Sequence, residues 1–487
     1  MVVIAPTPLP DAARVPPAVL DVLRALHAAG NQAFLAGGAV RDLLRSALGQ
    51  EVPDPQDFDV ATDALPEEVL RLFPKVIPTG VQHGTVTVIV RDEGMVAGAA
   101  PARAGARHVE VTTFRGEGPY LDGRRPSTVT FLGSIEGDLA RRDFTVNAIA
   151  WDPLVPGAAG LHDPFGGIAD LRRHRLRAVG EASARFAEDG LRPLRAVRFA
   201  STLRMALVPS TARAIRGALE TFDLVAKERV RDELQKLLVR GAPASRGLRL
   251  LVRSGLLERI APELLVPWAF TEVPEPRELR SEAANDPLPA SEALAAAWRA
   301  AFRRALRAVD ASPRALVLRL AALLHGVRPA LVPGLLARLK LSRHESDRLV
   351  MLLGEQALPY GLGWTDGACR RAIARIGRDA IDDLWSLRRA VLAANVATGD
   401  ALAAQQSLED RWSALLAADP PLAIGDLAVG GRELISRLGL APGPNLGRLL
   451  AGLLERVFDD PSLNTKEALL GLSSELLAAF STGNSQA

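Results

Sequence analysis

Asp57 and Asp59 are two carboxylates that stand two residues apart in a short apolar segment, residues 57–62. The segment is typical of a β-strand, in which alternate residues lie on one face of the sheet, about 6.6 Å apart. Both carboxylates could therefore contact one hard cation, and Mg²⁺ prefers oxygen ligands together with substrate phosphates. Phe58 would then point to the opposite, buried face. The spacing alone is a weak signal, because most isolated Asp-x-Asp pairs are solvated.

A phosphate-binding turn is expected shortly before this segment, at Gly37 and Gly38. The two glycines separate a predicted strand, residues 32–36, from a predicted helix, residues 41–48. Glycine lets the backbone approach a ligand closely, and the first N–H groups of a helix attract an anion. Arg41 adds a positive charge at the same place. A plain turn between a strand and a helix would explain the glycines equally well.

Glu110 supplies a third carboxylate, from the predicted strand at residues 108–113. A glutamate with apolar neighbours in a strand is unusual unless its carboxylate has a use, although a surface glutamate on an edge strand is the alternative. Three carboxylates beside a phosphate-binding turn suit nucleotidyl transfer with two metal ions. One ion lowers the pKa of the attacking hydroxyl and the other holds the leaving pyrophosphate.

A stripe of charged residues follows later in the chain, where Asp189, Arg192, Arg195 and Arg198 recur at every third position. This spacing places them along one side of a helix. We expect the helix to begin with Asp189 as its N-cap, because Pro193 then falls in the first turn, where its missing N–H costs least. From the spacing alone, a solvated arginine face on an amphipathic helix is the favoured reading.

The order of these segments predicts an α+β protein, with a small mixed β-sheet and helices in residues 1–151 and an all-helical remainder. Strand patterns alternate with helix patterns only in the first part of the chain. Further strands are expected at residues 85–91 and 146–151, and further helices at 18–29 and 66–73. From about residue 181 onward the pattern is helical, except for a proline-rich linker at residues 266–293.

Composition excludes several classes of protein. The 487 residues are 48% hydrophobic and 24% charged, which excludes wholesale disorder, and no apolar run reaches the roughly 18 residues of a membrane span. The single cysteine, Cys369, excludes an internal disulfide framework. The formal net charge is only +3, but residues 225–259 contain nine basic and four acidic residues, a net of +5. We expect a cytoplasmic protein with one strongly basic surface.

Several motifs, taken in order, resemble the nucleotidyltransferase head of class II CCA-adding tRNA nucleotidyltransferases, a head that bacterial poly(A) polymerases share. The motifs are Gly37-Gly38-x-Val40-Arg41-Asp42, Asp57-x-Asp59, Gly80-x-x-His83-Gly84-Thr85, Asp122-Gly123-Arg124-Arg125-Pro126, Asp138-Leu139-Ala140-Arg141-Arg142-Asp143-Phe144-Thr145-x-Asn147-Ala148 and Asp163-Pro164-Phe165-Gly166-Gly167. The resemblance is strong over residues 30–265 and looser over residues 315–470.

The resemblance implies an enzyme that adds CCA to the 3′ end of tRNA from CTP and ATP, with two Mg²⁺ ions as cofactors and no role for DNA or a membrane. Asp57, Asp59 and Glu110 would be catalytic, with the first two holding metal. Arg142 would contact the incoming nucleotide, and Asp189 and Arg192 would pair with its base. The predicted nucleotide-binding residues are Gly37, Gly38, Arg41, Arg142, Asp189, Arg192, Arg195 and Arg198. Asp143 and Asn147 are expected to fix the local backbone.

The same resemblance divides the chain into a catalytic head (1–151), a neck for base recognition and RNA binding (152–265), the linker (266–293), a helical body (294–400) and a helical tail that binds tRNA (401–487). The body contains a decayed HD phosphohydrolase motif, since Gly326 replaces the aspartate that should follow His325. Two alternatives stay open here. One is a poly(A) polymerase or an enzyme that adds only CC or only A, and the other is an RNA-binding protein with an inactive head.

Overall fold

A computed structural model describes residues 8–91, 106–117, 129–267, 269–272, 288–358, 363–395, 399–440 and 442–483. The Asp122–Pro126 motif and the larger part of the predicted linker lie outside these residues. The chain divides into two compact units, one formed by Met1–Leu265 with Arg338–Lys340 and the other by Val266–Ala337 with Leu341–Ala487. The predicted head and neck both fall within the first unit, and their separation stays a prediction.

The first unit contains a seven-stranded mixed sheet of order β3-β4-β5-β2-β1-β8-β9 and two short two-stranded sheets, β6-β7 and β10-β11. Within the large sheet β2 and β5 are parallel, and the other neighbours are antiparallel. The strands are β1 Ala33–Ala36, β2 Asp59–Thr62, β3 Val76–Gly80, β4 Thr85–Arg91, β5 Ala106–Thr113, β6 Arg115–Glu117, β7 Val129–Phe131, β8 Ala150–Trp151, β9 Leu161–His162, β10 Arg175–Leu176 and β11 Ala206–Leu207.

Twelve α-helices are described in the first unit. They are α1 Pro17–Ala28, α2 Gly38–Ala47, α3 Pro66–Leu72, α4 Ile135–Ala140, α5 Gly167–Arg172, α6 Ala182–Glu188, α7 Arg192–Thr202, α8 Pro209–Gly217, α9 Leu219–Asp223, α10 Lys227–Arg240, α11 Ala244–Ser254 and α12 Leu256–Ile260. The mixed sheet followed by helices confirms the predicted α+β class.

Two of the predicted strands are shorter than expected. The strand predicted at 57–62 begins only at Asp59, so Asp57 precedes it. The strand predicted at 146–151 is reduced to Ala150–Trp151, because Thr145–Asn147 forms a turn of 3₁₀-helix instead. Strand β3 was not predicted, because it contains Pro78 and its sequence does not alternate between apolar and polar residues. In the structure its residues are accordingly mostly exposed.

One core cluster supports the strands that lead into the predicted site. Phe34 and Ala36 of β1, Ala61 of β2 and the fully buried Phe114 pack together, and Ile135 and Leu139 of α4 complete the cluster. The apolar residues of α4 recur at an interval of four, so one face of this short helix is buried. The loop that follows α4 is thereby fixed next to the ends of β1 and β2.

Helix α7 is the central element of the helical part of this unit. It contacts both α10 and α11, and Leu194, Ala196, Val197 and Ala200 are fully buried. Its N-cap is Leu191 rather than the predicted Asp189, so the helix begins at Arg192. Pro193 nevertheless lies in the first turn, where a proline is tolerated. Leu191, Leu194 and Phe199 are also buried.

In the described residues of the second unit, the helices are joined by turns and loops, and the one β-bridge pairs Phe270 with Val327. Its helices are α13 Leu288–Ala311, α14 Leu316–Leu324, α15 Val332–Leu339, α16 Arg343–Glu355, α17 Asp366–Ile376, α18 Ile381–Ala394, α19 Gly399–Ala417, α20 Gly431–Leu438, α21 Pro444–Asp459 and α22 Lys466–Gly483. The last three share an apolar core that includes Leu434, Leu449 and Leu453. None of the helices in the described ranges has the length and apolar composition needed to cross a membrane.

His325, which the decayed HD motif singled out, follows the end of α14. Its Nδ1 atom lies 2.8 Å from the carbonyl oxygen of Ala322, and partial burial lowers the pKa of its imidazole. The ring is thus held against the end of its own helix.

Candidate active site

A cleft of about 500 Å³ in the first unit is lined by every residue that the sequence predicts to bind a nucleotide. Its walls come from the start of α2, the loop after α4, helix α7 and the end of α10. The lining residues are Gly37, Gly38, Arg41, Asp59, Arg141, Arg142, Asp143, Asn147, Asp189, Arg192, Arg195, Arg198, Phe199 and Arg240. Seven arginines against three aspartates make the cleft strongly positive, as a site for a polyphosphate should be.

Asp59 is the one predicted catalytic carboxylate that lines the cleft. It begins β2 and is in register with Glu110 on the parallel strand β5, so the two side chains lie on the same face of the sheet. Asp57 precedes the strand and, like Glu110, does not line the cleft. The predicted placement of Asp57 and Asp59 on one strand is therefore wrong, because the strand starts two residues later than expected.

The three carboxylates interact electrostatically although they are not packed together. The residue Asp59 is exposed, yet enough protein surrounds its carboxylate that its pKa is raised to about 6. Desolvation contributes most to this increase, the charges of Glu110 and Asp57 add to it, and Arg142 opposes it. Accumulated negative charge at Asp59 is what a bound cation would relieve.

The donor chemistry fits Mg²⁺, because all three side chains offer carboxylate oxygens and no softer ligand. Over the described ranges, however, no group of three or more His, Cys, Asp or Glu side chains lies close enough to hold a metal ion. Asp57 and Asp59 would thus need substrate phosphates or water to complete the coordination of a cation.

Gly37 is a position at which a side chain is excluded for two reasons. Its backbone has φ +81° and ψ −127°, a conformation that residues with a Cβ rarely adopt. A Cβ atom placed there would lie 2.8 Å from Nη1 of Arg142 and 4.0 Å from Oδ2 of Asp59. The glycine therefore lets the turn before α2 pass directly beneath the charged groups of the cleft.

Asp138 holds the two arginines that precede Asp143. Its fully buried carboxylate accepts hydrogen bonds from Nε and Nη2 of Arg141, at 2.9 and 2.8 Å, and from Nη2 of Arg142 at 3.1 Å. Burial alone would raise the pKa of Asp138, but the two guanidinium groups outweigh it and hold the pKa below its ordinary value. Both arginines are thereby fixed in direction before any ligand binds.

Asp143 and Asn147 do more than fix the local backbone. Asp143 accepts a hydrogen bond from the N–H of Phe144 at 2.8 Å, as expected, but its Oδ2 also accepts from Arg195 at 2.7 and 2.9 Å. Asn147 donates to Asp143 at 3.0 Å and accepts from Nη1 of Arg41 at 2.7 Å. This pair therefore links an arginine of α2 to an arginine of α7.

Asp189 and Arg192, the predicted base-pairing residues, each have a fixed partner. Asp189 accepts from the N–H of Leu191 at 3.0 Å and from Nη2 of Arg229 at 3.1 Å. Arg192 donates to Oε2 of Glu188 at 2.6 Å and to the carbonyl oxygen of Arg141 at 3.0 Å. Both side chains are therefore oriented by the protein on one side and reach the cleft on the other.

Glu233 is a residue of the site that the sequence analysis missed. It is 2% exposed, contacts Arg198 and Lys236 at 2.5 and 3.1 Å, and lies 3.7 Å from Arg195. Burial raises its pKa, but Arg198 and Arg195 outweigh burial and lower the pKa overall. Its signal was available, because Glu233 shares the buried face of α10 with Val230 and Leu237 at helical spacing.

Phe199 and Arg240 were also missed as parts of the site. The Phe199 ring lies 3.7 Å from the guanidinium carbon of Arg198, 5.4 Å from that of Arg195 and 5.5 Å from that of Arg41. An aromatic face attracts cations, so the ring stabilises three like charges at once. Arg240 comes from the last residue of α10, and only the tertiary fold brings it to the cleft.

Replacing Gly37 with alanine should destabilise the protein and disrupt the cleft. We expect Gly37→Ala to lower the free energy of unfolding by about 1–3 kcal/mol, the usual cost of such backbone strain, and to abolish measurable CTP binding. The control is Gly30→Ala, where φ is +88° but nothing lies within 4 Å of the added Cβ. It should be destabilised without loss of CTP binding. Urea unfolding and equilibrium CTP titration measure both effects, and equal CTP affinities would contradict the role of Gly37.

Removing the charge of Glu233 should leave Arg198 without its buried counter-charge. Glu233→Gln should lower the free energy of unfolding at neutral pH by about 3 kcal/mol. Because the folded-state pKa of Glu233 is depressed, its contribution is complete above about pH 4.5 and is lost as the pH falls through the folded value.

The free energy of unfolding, measured by urea unfolding at each pH, should therefore fall less in the variant than in the parent between pH 6 and pH 3. The parent loses the contribution of Glu233 as the pH falls below about 4.5, because the pKa of Glu233 is depressed from that value. Glu228→Gln, an exposed position on the same helix, should change neither quantity. A Glu233→Gln variant with the parent's stability and pH profile would show that the buried pair has no net effect.

Three family models match this chain. Residues 33–177 match the "Poly A polymerase head domain", residues 204–266 match the "Probable RNA and SrmB- binding site of polymerase A", and residues 380–472 match "tRNA nucleotidyltransferase domain 2". The first match contains the motifs that form most of the cleft, and the second contains the helices that follow α7.

Relatives and a solved structure agree with these matches. The CCA-adding enzyme of Latilactobacillus sakei is 34% identical over 93% of this chain and 96% of that protein. The CCA-adding enzyme of Geobacillus stearothermophilus is 45% identical over 49% of this chain and 52% of that protein, so this alignment spans about half of each. The crystal structure of the Bacillus stearothermophilus CCA-adding enzyme in complex with CTP has a TM-score of 0.69 and is 29% identical, over 96% of this chain and 98% of that one. The chain belongs to the family of CCA-adding tRNA nucleotidyltransferases.

Proposed function

We propose that this protein adds C, C and A in turn to the 3′ end of tRNA, using CTP and ATP and releasing diphosphate. The single observation that supports this most strongly is the cleft of about 500 Å³, where all eight predicted nucleotide-binding residues meet Asp59. Its substrates are those of tRNA maturation, which we infer takes place in the cytoplasm. The near-full-length relative makes CCA addition a better choice than poly(A) synthesis or an inactive head.

Asp57 and Asp59 would hold the divalent cations, for which we propose two Mg²⁺ ions. When bound, these ions would supply a lowered pKa at the attacking 3′ hydroxyl and neutralise charge on the triphosphate. The raised pKa of Asp59 fits this role, since a carboxylate that is desolvated and lies near other negative charges is stabilised by a cation. Glu110 would add negative charge on the same face of the sheet.

The triphosphate would be bound by the arginines and by the turn at Gly37 and Gly38. Guanidinium groups stay charged and bind phosphate oxygens in pairs. Asp138 fixes the directions of Arg141 and Arg142, so their reorganisation would not oppose the reaction. The closeness of Gly37 to Arg142 would bring a phosphate under both the backbone and the guanidinium group.

Asp189 and Arg192 would select the base in place of a nucleic-acid template. A carboxylate accepts from the exocyclic amine of cytosine or adenine, and a guanidinium donates to the ring nitrogen beside that amine. Uracil and guanine present the opposite polarity, which would leave a charge unpaired. Glu188 and Arg229 orient the two side chains, so discrimination would depend on how rigidly these partners hold them.

The test of the function is incorporation into tRNA that lacks its 3′ CCA. Purified protein with Mg²⁺ is given labelled CTP, ATP, or both. Incorporation that stops after three residues ending in A is the expected result. Long A tails, addition of only part of CCA, or no incorporation with any combination would each overturn the proposal.

Asp59→Ala should abolish the addition of C and of A to the same extent, because both reactions would share one metal site. The readout is the rate of incorporation of each nucleotide measured separately. Glu51→Ala, an exposed acidic position in the loop before β2, is the matched control and should retain the parent's rates. Retention of either C or A addition in Asp59→Ala would refute a shared site.

Arg192→Ala should relax the choice of base while leaving the dependence on Mg²⁺ unchanged. We expect the ratio of kcat/KM for CTP to that for UTP to fall about 10- to 100-fold, since a charge-assisted base contact discriminates by about 1–3 kcal/mol. Arg185→Ala is the control, because Arg185 also donates to Glu188, at 2.9 Å, but does not line the cleft. If UTP is rejected equally by both variants, Arg192 does not read the base.

A further inference from the structure

A second cleft in the first unit, of about 650 Å³, lies among β11, α8 and α11. We call it the arginine cleft, because it is lined by five arginines and by no acidic residue. Its lining residues are Met205, Ala206, Leu207, Ala212, Arg213, Ile215, Arg216, Arg246, Arg249, Leu250, Arg253 and Ser254. A concave surface of this size and charge would attract an anionic ligand.

The five arginines form two rows at helical spacing. Arg213 and Arg216 lie three residues apart on α8, and Arg246, Arg249 and Arg253 lie three and four residues apart on α11. Three of their side chains donate hydrogen bonds to neutral groups. Arg216 donates to the carbonyl oxygen of Arg253 at 2.8 Å, Arg246 to that of Met205 at 2.8 Å, and Arg249 to the Ser245 hydroxyl at 3.3 Å.

These arginines differ from those of the nucleotide cleft in their counter-charges. Across the part of the chain that is described, none of the five forms an ion pair with a carboxylate, whereas six of the seven arginines in the nucleotide cleft do. Two rows of like charges facing one cavity repel each other when no carboxylate separates them. An external anion with several charges would reduce this repulsion.

The floor of the arginine cleft is apolar, so binding of phosphate alone does not account for its composition. Leu207 and Leu250 are half-buried and expose apolar surface to the cleft, whereas Met205 and Ile215 in the same lining are fully buried. A duplex bound only through its phosphates would contact the arginines, and it would leave the apolar floor between them unused. An unpaired nucleotide offers both features, because its phosphates are anionic while its base has apolar faces that pack against aliphatic groups and guanidinium planes.

We propose that the arginine cleft binds an unpaired nucleotide of the RNA substrate, with flanking phosphates on the arginines and the base against the apolar floor. This inference rests on the proposed function for the identity of the RNA. Helix α7 connects the two sites, since Arg192 at its start lines the nucleotide cleft and Met205 follows its end. Its eleven residues span about 16 Å, a distance that a few nucleotides of one strand can cover.

The proposal is tested by equilibrium RNA binding to the full-length protein without added nucleotide. The double variant Arg213→Ala with Arg249→Ala is compared with Arg24→Ala with Arg71→Ala, which removes the same charge from exposed positions of the same unit. The probes are a short single-stranded RNA and a blunt-ended duplex of equal length. We expect the cleft variant to bind the single strand at least about tenfold more weakly.

We also expect its slope of log affinity against log salt concentration to be shallower by about 1.4, that is, about 0.7 for each of two lost phosphate contacts. The duplex should lose much less affinity, and the control should match the parent for both probes. A single strand containing 4-thiouridine should photo-crosslink to the segment around Met205 or Leu250 in the parent protein.

Equal single-strand affinity and salt slope in the two double variants would overturn the proposal. Equal losses of affinity for the duplex and the single strand would contradict the claim that the cleft binds an unpaired nucleotide. A variant that loses affinity for free CTP or ATP, but not for RNA, would show that the cleft serves a free nucleotide instead. None of these measurements requires nucleotide addition. A failure of CCA addition can therefore be distinguished from a failure of RNA binding at the arginine cleft.

Discussion

Repulsion among closely spaced guanidinium groups is the constraint on which the nucleotide cleft depends. Seven arginines line a space of about 500 Å³, and without counter-charges they would push the surrounding elements apart. The buried carboxylates of Asp138, Asp143 and Glu233 offset three of these seven charges and form ion pairs with four of the arginines. Burying these acids is unfavourable by itself, but their lowered pKa values show that the arginines more than compensate for desolvation. The positive charge that these carboxylates do not offset is available to a bound polyphosphate.

The same charge network joins elements that are distant in the sequence. Asp143, in the loop after α4, holds Arg195 of α7, and Glu233 of α10 holds Arg198 of the same helix. Groups that would bind phosphate are thereby connected to groups that would read the base. Because Asp143 and Glu233 each pair with a partner on another element, this part of the site forms only when those elements are folded together. A disturbance at one end should therefore affect the geometry at the other.

Much of this site could be predicted from the sequence, because its residues lie in local motifs at regular spacing. Strand β4 was located correctly from alternation, and the arginines of α7 from their period of three. The start of the strand at Asp59 was missed, since strand ends depend on pairing with β1 and β5 rather than on local pattern. Glu233 was missed for a related reason. Its charge suggests the surface, and only the opposing arginines explain why it is buried.

The two clefts of the first unit use the same side chain for different physical tasks. In the nucleotide cleft nearly every arginine is tied to a carboxylate, which reduces its attraction for anions but fixes its direction. Fixed direction is what a site needs when it must distinguish one base from another and align a reacting phosphate. In the arginine cleft, Arg216, Arg246 and Arg249 donate hydrogen bonds to neutral groups, so no carboxylate reduces their attraction for anions there. If it binds RNA as proposed, such a surface would hold a strand through its phosphates without distinguishing the bases. A nucleotidyltransferase without a nucleic-acid template would need both properties, and on our proposals they would lie near opposite ends of α7.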